Sequence, residues 1–132
     1  MSATTIEYRL LAGTRAAVGR AGAHIVIADR PAGTAGGLGL GFNGGELLAL
    51  AIGGCFCNDL QALAEEMKAS ISDLRVTVAV EFGGEPRRAV AARMDVQCTL
   101  ADGSDASQLV DRAKAITIIG NSVREGIALQ IG

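Results

Sequence analysis

The sequence predicts an α+β fold, with antiparallel strands beside a long buried central helix and a second, shorter helix. Three observations carry this. Two runs in the middle of the chain alternate apolar and polar residues, a long apolar segment with helical character precedes them, and an amphipathic stretch follows. At 132 residues, 49% hydrophobic and 20% charged, the chain is expected to form one domain over residues 1–132 and to bury roughly two-thirds of its unfolded surface.

Ile6, Tyr8 and Leu10 alternate with Glu7 and Arg9, which predicts a short first strand. A Gly/Arg-rich connection leads to a second strand over Ala23 to Ala28. The long helix is expected from about Gly45 to Ala69. Its second half carries an apolar stripe at Leu60, Leu63, Ala64 and Met67, but its first half is apolar on every side. A helix apolar all round must be buried all round, and in so small a domain a second chain is the economical cover, so a homodimer is expected. Leu74, Val76, Val78, Val80 and Phe82 form one face of the next strand, and Val90, Ala92, Met94, Val96, Cys98 and Leu100 one face of its partner. Joined by Gly83 to Arg88, they read as an antiparallel hairpin. Ala106, Leu109, Val110 and Ala113 mark a helix over Asp105 to Ile116 with Ser104 as its N-cap, and Ile127 to Ile131 reads as a last strand after Gly126.

Fourteen acidic and twelve basic residues, one tyrosine and no tryptophan offer neither a phosphate footprint nor a stacking platform, so no nucleic-acid partner is expected. The N-terminus lacks a basic region followed by an apolar core, and the longest apolar run, Leu47 to Cys57, is too short to cross a bilayer. A soluble, cytoplasmic protein without a membrane partner is the expectation. Three cysteines at no disulfide-framework spacing are expected to rest reduced. His24 is the only histidine, which excludes a two-histidine zinc site, and it reads as a strand residue; no metal or cofactor is expected. Gly39, Gly41 and Gly44 match a dinucleotide fingerprint, but about nine residues separate them from the preceding strand and the acidic residue ~20 positions on, Asp59, falls inside a helix. These glycines read instead as a turn.

The stretch from Gly41 to Leu60, Gly-Phe-Asn-Gly-Gly-Glu-Leu-Leu-Ala-Leu-Ala-Ile-Gly-Gly-Cys-Phe-Cys-Asn-Asp-Leu, places Cys55 in a small-residue helix behind a glycine-rich turn. It resembles the first cysteine motif of the OsmC and organic hydroperoxide resistance family. Asp29-Arg-Pro31, the glycine-rich Gly33 to Gly45, the paired strands and Gly120-Asn-Ser-Val123 follow in the family's order, so the resemblance covers nearly the whole chain. It implies an OsmC-like fold, an intertwined dimer, and reduction of organic peroxides by a cysteine pair. A hot-dog fold also sets a helix beside a sheet, but the second amphipathic helix favours the OsmC-like arrangement.

The resemblance makes Cys55 the reactive thiol and Arg15, in Ala-Gly-Thr-Arg, its cation, with Arg20 and Arg30 as alternatives. The family's glutamate falls on Gly45; Glu46 stands one residue later and either orients an arginine or forms a capping box with Asn43. Asp59, four residues after Cys55, would disfavour a thiolate if the two share a face. Aligned on Gly120-Asn121-Ser122, the family's second cysteine falls on Thr117, which cannot form a disulfide. Cys57 is about 200° round the helix from Cys55, and Cys98 lies on a core face. Two functions follow: a single-cysteine redox protein that reacts with an organic hydroperoxide and is reset by an external thiol, or a non-catalytic binder of a small apolar molecule.

Overall fold

Glu7–Leu10 forms the expected first strand, β1, and His24–Ala28 the strand β3, but the connection between them is itself a strand, β2, at Ala17–Ala21. All three pair antiparallel in the order β1–β2–β3, with Tyr8 opposite Gly19 and Val18 opposite Ile27. The composition of Ala17-Val-Gly-Arg-Ala21 gives no apolar alternation, because its inward position at Gly19 carries no side chain. The Tyr8 ring fills that place: a β-carbon on Gly19 would sit 2.6 Å from the ring. The computed structural model describes residues 1–132, and these fall into two units, Met1–Leu47 and Leu48–Gly132.

In the first unit the chain leaves β3 and returns alongside it, with the Asp29 amide donating to the Phe42 carbonyl at 2.9 Å and the Phe42 amide to the Ile27 carbonyl at 2.8 Å. The glycine-rich loop between them is organised by one buried side chain. Asp29, 8% exposed, accepts backbone N–H bonds from Arg30 at 2.8 Å, Leu38 at 3.1 Å and Leu40 at 3.0 Å. The glycines thus fold around a carboxylate of the chain itself, which is a physical reason for Asp29 to precede Arg30-Pro31. Helix α1, Gly44–Glu66, then opens on a reciprocal capping box. The Asn43 amide donates to Glu46 Oε1 at 3.0 Å and the Glu46 amide to Asn43 Oδ1 at 2.8 Å.

The second unit is built on the remainder of α1. The hairpin is longer than the alternation alone suggests, with β4 at Ile71–Gly83 and β5 at Arg88–Leu100, and pairs Val76 with Val96 and Val78 with Met94. Phe56, Leu60, Leu63 and Ala64 of α1 meet Leu100 of β5 and two residues of α2 (Ser107–Ile116), Leu109 and Ala113, in the core. Leu74, Val76, Met94, Val96 and Cys98 are half-buried against it, so the expected apolar faces turn inward over the half of the hairpin nearest the core, while Ala92 is exposed. At the far end a bulge between Glu81 and Phe82 shifts the register, and Phe82 and Val90 are exposed rather than core; Arg87 lies over the Phe82 ring, 5.9 Å from its centre.

Three expectations about this unit are corrected. Ser104 does not cap α2: its amide and hydroxyl both donate to Asp102, and the helix begins at Ser107, whose amide and hydroxyl donate to Asp105. A third helix, α3, occupies Ile118–Glu125, and Thr117 alone separates it from α2. No strand forms over Ile127 to Ile131; with no neighbouring strand to complete a ladder, Ile127, Leu129 and Ile131 are exposed. By length and composition α1, at 23 residues, is long and apolar enough to cross a membrane, whereas the uninterrupted run Leu47 to Cys57 is shorter. In this fold its Phe56, Leu60 and Leu63 face packs on protein.

Candidate functional site

Cys55 sits midway along α1 between two buried neighbours on the same helix, Ile52 and Phe56, and is itself half-buried. One helical turn on, Asp59 lies on the same face, as the four-residue spacing requires. The thiol donates to Asp59 Oδ2 at 3.7 Å. From the other side the Thr117 hydroxyl donates to Cys55 Sγ at 3.9 Å. A thiol is both a weak donor and a weak acceptor, and here each capacity has one partner.

Thr117 reaches the sulfur because of its place in the chain. It ends α2, donating its amide to the Ala113 carbonyl at 3.0 Å, and starts α3, its carbonyl accepting from the Asn121 amide at 2.9 Å. A threonine at a helix start commonly turns its oxygen back onto the first amides. This one makes no such bond and is 1% exposed. Its methyl lies over Gly120, where an added β-carbon would come within 2.6 Å of Cγ2, so the glycine lets the methyl settle there while the hydroxyl faces Cys55. Thr117, which falls at the family's second cysteine position, is therefore in contact with Cys55.

The other two cysteines lie elsewhere. All three are free thiols. Cys98 packs against the core, and burial pushes its thiol up from the ordinary range. Cys57 is half-buried, about 200° round the helix from Cys55.

A cavity of about 260 Å³ opens beside this cluster, with Thr117, Ile52 and Phe56 in its wall. Sequence patterning gave no sign of it, because β5, α2 and α3 contribute its other residues and no single stretch carries them. In the first unit, Arg15 is exposed in the turn between β1 and β2, its side chain across Gly36. Glu46 is engaged in the capping box described above, and His24 is the exposed first residue of β3, beside the β2–β3 turn. Asp29, which patterning singled out only within a motif, is held below the usual carboxylate range by the amide of Leu40 first and by those of Leu38 and Arg30, against the opposing effect of burial.

An antiparallel α+β protein with a long core helix presenting a partnered thiol beside a cavity is the class these features define. The family model described as OsmC-like protein matches residues 36–132, and the chain belongs to that family. Solved structures agree on the fold. An OsmC-like protein from Vibrio cholerae is 11% identical with a TM-score of 0.76, over 92% of this chain and 94% of that one. An OsmC-like protein from Mycoplasma pneumoniae is 15% identical, also at 0.76, over 93% and 88%. An organic hydroperoxide resistance protein from Legionella pneumophila is 20% identical at 0.64, over 94% and 90%. None of the curated proteins matches the sequence.

Proposed function

We propose that this protein is a thiol-dependent redox protein in which Cys55 reduces an organic hydroperoxide and an external thiol restores it. The observation that carries the reading is the contact at the sulfur: the buried Thr117 hydroxyl is placed to donate to the Cys55 thiolate, and this offsets Asp59, whose carboxylate on the same helix face opposes that anion. The similarity to the organic hydroperoxide resistance protein from Legionella pneumophila supports the same class of substrate.

In this mechanism Cys55 reacts as its thiolate, the thiol proton having passed to solvent, and the sulfur attacks the distal peroxide oxygen. The O–O bond breaks, the alkoxide takes up a proton and leaves as the alcohol, and Cys55 becomes a sulfenic acid. Thr117 offers no second thiol, so an external thiol displaces water to form a mixed disulfide, and a second external thiol releases Cys55. Such thiols are abundant in the cytoplasm, the compartment proposed here. Arg15 keeps the role of cation that the resemblance implies, and Arg15→Ala should slow peroxide consumption, whereas Glu46 serves as the cap of α1 with Asn43. The working form proposed is a homodimer, since Leu50 on the apolar half of α1 is 52% exposed in one chain.

Consumption of cumene hydroperoxide with a small dithiol should require Cys55 and survive Cys98→Ser; turnover unaffected by Cys55→Ser would end this reading. The cavity beside Thr117 favours one alternative, a binder without redox chemistry. In that case excess peroxide leaves Cys55 unmodified while an apolar ligand raises Tm.

A further inference from the structure

We infer that the cavity between α1, β5, α2 and α3 is a binding site for a medium-chain organic anion, a carboxylate carrying a short hydrocarbon body. Its volume is about 260 Å³, and at ~30 Å³ for each water-sized atom that is room for about nine heavy atoms. The walls are apolar, from Phe56, Met94, Val96 and Val123. Three cations join them, Arg93 from β5, Lys114 from α2 and Arg124 from α3, and no aspartate or glutamate lines the cavity.

Converging positive charge from three separate elements on an apolar hollow suits a ligand with one anionic end and one greasy end. The cations are not locked elsewhere. Arg93 stands 3.6 Å from Asp95 and Lys114 3.6 Å from Asp111, both pairs largely exposed, and water-exposed pairs of that length hold their members weakly. Arg124 donates to the Asn121 side chain at 2.7 Å, a neutral partner that leaves its charge uncompensated. Thr117 lines the cavity and also donates to Cys55, so a bound anion lies one residue from the sulfur. The site requires no turnover at Cys55; it stands under either reading of the protein's function.

Isothermal titration of the full chain with octanoate, octan-1-ol and butyrate tests it. Octanoate should bind at least tenfold more tightly than octanol, through its charge, and far more tightly than butyrate, since each buried CH₂ is worth about fourfold. Lys114→Met with Arg124→Met should bring octanoate down to the octanol level. Should that variant fail to fold, added salt should weaken octanoate and leave octanol unchanged in the native protein. Equal binding of octanol and octanoate, no binding of either, or octanoate affinity indifferent to both the substitutions and salt would overturn the inference. A silent titration beside a peroxide-reactive Cys55 sinks this site and spares the redox proposal, whereas octanoate binding beside an inert Cys55 does the reverse.

Discussion

Thr117 joins two helices and spends its hydroxyl on neither. That choice makes it the residue on which the site can be tested most finely. Thr117→Cys should place a second thiol against Cys55 and give an internal disulfide on mild oxidation, read as the loss of two thiols by titration; two free thiols at those positions after oxidation would show that the side chains cannot meet. Gly120→Ala tests the support beneath it. The new methyl meets Thr117 Cγ2 at 2.6 Å, so it should cost about 1–3 kcal/mol of stability and turn the hydroxyl away from Cys55. The contact was legible in the sequence only through alignment, since Cys55 and Thr117 are 62 positions apart and no periodicity links them. Asp59 was legible by spacing, because four residues in a helix fix a shared face.

Within elements, alternation identified the strands that bury large side chains and failed where a glycine takes the inward position. Gly19 hides β2 in this way, and the exposure of Phe82 follows a bulge that a period of two does not reveal. Ile127 to Ile131 shows the opposite error: a strand pattern needs a partner edge, and the sequence does not say whether one is within reach. The glycine-rich loop likewise reads as a turn, but its organiser is the buried Asp29. Because its amide partners hold the folded carboxyl below the ordinary value of 3.8, Asp29 contributes stability that is fully present above that value and lost as pH falls through the lower folded one. Thermal melts of Asp29→Asn and the native protein should therefore differ at neutral pH and converge in acid below pH 3.8. A gap that widens in acid would contradict this sign.

For the whole molecule, the fold class was readable because the hairpin and the core stripe of α1 are strongly patterned, whereas α3 was not, being short and contiguous with α2 through a single residue. The apolar half of α1 and the exposed Ile127, Leu129 and Ile131 lead to a prediction about assembly. Sedimentation at micromolar concentration should give a dimer whose dissociation accompanies unfolding, and a folded monomer would remove the argument. The central claim is that Cys55 is a peroxide-reactive thiol without an internal resolving partner. Its most direct test is the intact mass of the protein after one equivalent of cumene hydroperoxide, with and without a sulfenic-acid trap. The predicted result is a gain of one oxygen confined to Cys55, captured by the trap, with no loss of two hydrogens. An unmodified Cys55, or a disulfide within one chain to Cys57 or Cys98, would contradict it.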